Sequence, residues 1–327
     1  TAQVTIGDGD LIAGETYNWT NDKEYILDGY VYLEAGGVLN IQAGTVIKGM
    51  EVPSTADAAS ALIITKDAQI FAEGTVSQPI IFTSTADDGN LIEADNGFWG
   101  GLIILGNGTV ARPGGFDFIE GIPNESRTEF GGGATPNDTE SSGVIKYISI
   151  RHGGAELAPG SEINGLTLGA VGSGTEVDYI EIFANSDDGI EFFGGTVSAS
   201  NIYLENNEDD SVDWTEGWNG TLTDTYISHT IAGFSTAFEG DKDNGNPKFV
   251  NLTAISSVGG TALQFKKTSG GTITNIWLEG YDKNIDMKDD GPLTNVIIDG
   301  VAASTSADYK TGTKVDVSAW SWKNAGL

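Results

Sequence analysis

The chain has 327 residues, with 47 acids against 16 bases, a formal charge of −31 and no cysteine. So negative a surface repels a phosphate backbone and an anionic membrane, which argues against nucleic acid and direct membrane insertion. Disulfides and thiolate metal centres are ruled out, and no apolar run reaches the length of a membrane span.

In chain order, residues 1–30 are expected to cap the N-terminal end of the fold, with Thr16-Tyr17-Asn18-Trp19 as the cover. The start at Thr1-Ala2-Gln3, without Met, reads as a processed mature end and predicts export to the cell surface or beyond. Helical periodicity is nearly absent, and short β-branched and aromatic runs recur between Gly, Asn and Asp clusters. Val31-Tyr32-Leu33, Val38-Leu39-Asn40-Ile41 and Thr45-Val46-Ile47 open the series. Ala61-Leu62-Ile63-Ile64, Gln69-Ile70-Phe71 and Pro79-Ile80-Ile81-Phe82 follow, and Gly101-Leu102-Ile103-Ile104-Leu105 begins a third unit.

Residues 111–142 break this rhythm, being rich in Gly, Pro, Asn and Ser, and read as a long inserted loop. A shorter interruption spans residues 53–60. The long loop carries Arg112 and Arg127; the remaining arginine, Arg151, stands beside His152. The pair Arg151 and His152 is expected either to tie the loop to the body of the fold or to bind an anionic group of a glycan.

From about residue 143 the pattern becomes regular. Tyr179–Ile182, Asn201–Leu204, Thr225–Ser228, Leu252–Ile255 and Asn275–Leu278 head successive units. Each is followed by a second short strand: Ile190–Phe193, Val212–Trp214, Ala237–Phe238, Leu263–Phe265 and Ile285–Met287. A repeat of about 22 residues with two or three short strands describes an all-β solenoid, the parallel β-helix, whose apolar side chains fill the bore. An antiparallel sandwich does not hold this register. The last segment, residues 302–327, with Ala319-Trp320-Ser321-Trp322, is expected to cap the C-terminal end, making 1–327 a single domain.

One motif occurs twice. Asp187-Asp188-Gly189-Ile190-Glu191 and Asp209-Asp210-Ser211-Val212-Asp213 both place acids at i, i+1 and i+4 and run into an aromatic residue. Stacked on neighbouring coils, about 4.8 Å apart, these six carboxylates share one patch. Two such charges about 5 Å apart repel by roughly 3 kcal/mol at an effective dielectric near 20. The ladder therefore calls for a cation, and many hard oxygens describe Ca2+. Asp187, Asp188, Glu191, Asp209, Asp210 and Asp213 are the expected ligands, with Glu208 and Glu216 adding to the field. Trp214 and Trp218 are candidate platforms for sugar rings, while His229 is expected to be structural.

The coil length and Asn/Gly-punctuated turns resemble right-handed β-helix proteins of the pectate-lyase-like superfamily. Asn185-Ser186-Asp187-Asp188-Gly189-Ile190-Glu191 is similar to the calcium motif of family 9 polysaccharide lyases. Ala43–Gly49, Phe98–Gly106, Ile150–Gly154, Glu162–Leu168 and Glu191–Gly195 are similar to phrases of β-helix proteins exported by bacteria. This resemblance implies a right-handed parallel β-helix working outside the cell. In β-helix lyases the base is an Arg or Lys on a neighbouring coil, which here implies Lys242 or Lys266, with Lys267 nearby. The expectation is a non-catalytic, calcium-binding surface protein that binds a polysaccharide or another cell-surface protein, or assembles with itself. The alternative is a calcium-dependent lyase cleaving a uronic-acid polymer by β-elimination.

Overall fold

Runs that recur along the chain pair with their own counterparts one coil away in the computed structural model, which describes residues 1–327. Lys23–Asp28, Val46–Gly49 and Ile80–Ser84 stack in parallel, as do Tyr30–Leu33, Ala61–Ile64 and Leu102–Leu105, and Thr16–Trp19, Val38–Ile41 and Gln69–Glu73. These columns are the three faces of a parallel β-helix. From Gly143–Arg151 onward two faces share one bent strand: its first half pairs with Gln69–Glu73 and its second with Ile80–Ser84.

The bend has a backbone cause. Tyr147, Tyr179, Asn201, Asp224, Asn251 and Asn275 occupy the left-handed region at successive corners, φ between 51° and 60°. Such residues cost roughly 1 kcal/mol each unless locally supported, which favours Asn and Asp. Here the support is a ladder: Asn251 Nδ2 donates to Asp224 Oδ1 at 2.7 Å, and Asn275 Nδ2 to Asn251 Oδ1 at 3.0 Å.

Strand alternation fills the bore. Leu166, Ile190, Val212, Phe238, Leu263 and Ile285 form one inward column by register, and Phe192 and Trp214 stand in the next. A contiguous cluster of 56 buried side chains runs from Ile6 to Tyr309, so the coils share one core. His229 belongs to the structural interior, stacked on Phe234 at 3.6 Å, with burial lowering its pKa to about 3. A folded value below the ordinary 6.5 means that the unfolded chain binds the extra proton. Stability therefore falls as pH drops from about 6.5 towards 3. His229→Gln should flatten that acid limb in thermal melts; an unchanged limb would assign the loss to other groups.

Both ends differ from expectation. Residues 1–30 are not a separate cap but the first coil and the start of the second: Ala2–Gly7 pairs in parallel with Lys23–Asp28, and Trp19 stacks on Tyr25 at 4.7 Å. Nor does the last segment cover its end as a whole. Ala303 and Tyr309 join the core there, but beyond Lys310 the chain turns back along the outside of the coils. Val315 N–H meets Thr253 Oγ1 at 2.9 Å, and Asn324 N–H meets Glu181 Oε2 at 2.9 Å. Trp322 stands edge-on to Tyr147 and Tyr179, themselves stacked at 4.3 Å. An aromatic ladder on consecutive coils thus holds the strap by apolar burial and ring contacts. Trp322→Ala should release it, making residues 310–327 protease-sensitive while the coils stay folded; resistance equal to the parent would refute this.

The inserted loop has its own small core. Ile119, Ile122 and Phe130 pack on Tyr30, Ile63, Ile103 and Leu105, which explains why those strands read as apolar on both faces. Arg127 pins the loop to the first coils through Asp8 at 2.8 Å and Glu34 at 2.7 Å.

Candidate metal-binding groove

The six acids come together. The short strands Ile190–Phe193 and Asp210–Thr215 pair in register, Ile190 with Val212 and Glu191 with Asp213, so Glu191 and Asp213 stack outward with Glu239 beyond. The turns before them are held from inside by buried asparagines. Asn185 N–H donates to Asn207 Oδ1 at 3.1 Å, while Asn185 Nδ2 donates to the carbonyl of Asp188 at 2.9 Å. This places the Asp187-Asp188 and Asp209-Asp210 pairs on adjacent coils. Ligand oxygens of Asp187, Asp188 and Asp209 lie within 4.8 Å of one another, as do those of Asp188, Asp210 and Asp213.

Crowding and burial set the electrostatics. Burial, then the charge of Asp209, raises Asp187 to about 8. Burial likewise raises Glu191 to about 7, and pushes Asp188, Asp210 and Asp213 well above the ordinary range. All five shifts favour the protonated form, and a divalent ion in this patch would compete with those protons, because its charge favours the ionised form.

All of these acids except Asp210 floor a cleft of about 460 Å³ that also takes in Asp117, Phe118, Glu120, Glu162, Asn164, Glu216 and Lys242. The inserted loop forms one wall, linked to the Glu156–Ala158/Ser161–Glu162 hairpin by Ser161 Oγ donating to Glu120 at 2.9 Å. A second recess of about 360 Å³ continues past Asp187 and Asp209 to Ser235. Glu216 and Lys242 are stacked left-handed residues (φ 59° and 63°) at the end of the floor strands. Burial raises Glu216 to about 8, and Arg112 Nε approaches it at 3.8 Å while pairing with Asp117 at 3.3 Å.

Other expected residues lie elsewhere or are engaged. Lys266 is bound to Glu239 at 2.8 Å; burial opposes its charge, but Glu239 together with Asp210 and Asp241 outweighs burial and raises its pKa, so it is not a free base. Lys242 does line the cleft. Trp214 and Trp218 are not sugar platforms: they are 2% and 0% exposed inside the bore, Trp218 stacked on Phe192 at 3.9 Å. Arg151 and His152 do not tie the long loop. Arg151 Nη2 donates to the carbonyl of Ala325 at 2.6 Å, and His152 Nδ1 meets that of Asp95 at 2.5 Å. Together they line a separate recess of about 220 Å³ under the C-terminal strap.

Asn164 was not singled out from the sequence. It sits one coil before Asp188, by the register of Leu166 with Ile190. Extending the register of the acidic motif one coil upstream, from Asp188, would have found it.

A family model for the pectate-lyase-like beta helix domain matches residues 11–321. The chain belongs to that family. No curated protein matches it. The family's fold supports a carbohydrate-related role, and this pectate-lyase-like chain carries its acidic cleft on the outer face of the helix.

Proposed function

We propose that this protein binds calcium in the acidic cleft and uses it to hold a carboxylated polysaccharide without cleaving it, outside the cell or at its surface. The observation that carries the reading is the pair of carboxylate triads sharing Asp188 on the cleft floor. A divalent ion would compete with the protons that burial and crowding otherwise impose on these acids, and the hard oxygen set suits calcium. The net charge of −31 repels a polyanion until bound ions bridge it, so glycan binding should depend on calcium. The same calcium-loaded face would serve an adhesive contact with another cell-surface protein.

A second reading rests on Lys242, which lines the cleft beside the acids. There the ion would acidify the proton α to a uronate carboxylate, and Lys242 in its neutral form would remove it as the C4–O glycosidic bond breaks, with a proton from water passing to the departing sugar oxygen. Titrating polygalacturonate and alginate against the protein in calcium and in chelator, while following ultraviolet absorbance of unsaturated products, separates the two. Calcium-dependent binding with no product is expected. Product formation that Lys242→Ala abolishes would replace the binding role with a lyase; equal binding in chelator would refute the calcium-bridged contact.

A further inference from the structure

We infer that the acidic patch comprises two cation positions of different kind, an inner closed one and an outer open one, joined through Asp188. This rests on the calcium reading above. The outer triad is Asp187, Asp188 and Asp209; the inner is Asp188, Asp210 and Asp213. Asp187 and Asp209 stand where the two recesses meet, and Asp209 is exposed. An ion there keeps coordination positions for water or a ligand oxygen. By contrast, Asp210 and Asp213 are 2% and 9% exposed. Thr236 Oγ1 donates to Asp210 at 2.5 Å, and the Asp210 N–H donates to Asp188 Oδ1 at 3.0 Å, fixing both carboxylates from within the protein.

An independent observation comes from Asn164, which is 5% exposed in the same cleft. Its Nδ2 donates to Glu191 Oε1 at 2.9 Å and Thr167 Oγ1 at 3.1 Å, so the amide cannot turn. The carbonyl oxygen Oδ1 is left buried with no donor. Buried acceptors are nearly always satisfied, and a neutral oxygen beside carboxylates is what a calcium shell uses.

The inner ion clamps the Asp188 coil to the Asp210–Thr215 strand, a structural role. The outer ion faces the cleft and exchanges. Because Asp188 is shared, filling the inner position sets that carboxylate for the outer one, and loading is ordered.

Terbium(III) luminescence in H2O and D2O, which counts bound waters, tests this. Stripped protein should show two lifetimes, one water-rich and one water-poor. Asp209→Asn should remove the water-rich signal and keep calcium's rise in melting temperature; Asp213→Asn should remove the water-poor signal and most of that rise. Since Asp213 is buried, unaltered protein supplies a second readout: calcium release into chelator should be biphasic, with rates about tenfold or more apart. One lifetime with one ion per chain and single-phase release would overturn the two-position inference while leaving calcium binding intact. No binding of either ion would overturn both.

Discussion

Stripping the protein of calcium should lower its melting temperature, and the loss should deepen from about pH 5 to pH 8. In the unfolded chain Asp187 and Glu191 ionise near 3.8 and 4.5; in the folded, ion-free protein they hold protons to about 8 and about 7. Between those values the folded state binds more protons than the unfolded one. Stability is therefore greatest below the unfolded values and is lost as pH rises through the folded ones. Asp188, Asp210 and Asp213 shift in the same direction. Several kcal/mol are at stake, which for a chain of this size is roughly 5 °C or more. Calcium bound as proposed would substitute for the protons and remove the slope, adding about 2.7 kcal/mol at a hundredfold excess over its Kd. Differential scanning calorimetry at both pH values, with calcium and with chelator, checks this. A flat profile in chelator would show that the acids ionise freely and need no ion.

Trp214→Ala and Trp218→Ala should each cost about 3–5 kcal/mol, among the largest losses of any single substitution. Both rings fill the bore. Trp214 lies 4.9 Å from Phe249 and 5.8 Å from Phe265, and Trp218 donates its Nε1–H to the Val197 carbonyl at 2.9 Å. The fit is close enough that a Cβ on Gly240 would come within 2.7 Å of the Trp214 ring. Since Trp214 is the inward neighbour of Asp213, Trp214→Ala should also weaken calcium binding. Urea unfolding reads the stability change directly. Unchanged stability with lost glycan binding would restore these tryptophans to the surface role that their sequence suggested.

What was legible depended on whether a signal repeats. The β-helix showed itself because apolar runs and turn residues recur about every 22 residues, and the paired Asp motif repeats at the same interval. Strand alternation about Glu191 turns Phe192 inward and, one coil on, turns Trp214 inward too; the neighbouring acids point to the surface instead. Asn164 was hidden because a hairpin lengthens its coil and because its side chain carries no charge. The strap was hidden for a different reason: its docking ladder, Tyr147, Tyr179 and Tyr203, is spread over three strands and forms only once the coils stack. The loop's position followed from its apolar residues meeting Ile63 and Ile103, contacts that its Gly- and Pro-rich composition obscured.

Calorimetric titration of calcium into chelator-stripped protein at about pH 8, beside Asp188→Asn, tests the central claim most directly. The expected result is saturable binding with proton release in the parent protein and little or none in Asp188→Asn, the residue common to both triads. No heat of binding in the parent, or identical isotherms for both proteins, would contradict the assignment of this groove as a metal site.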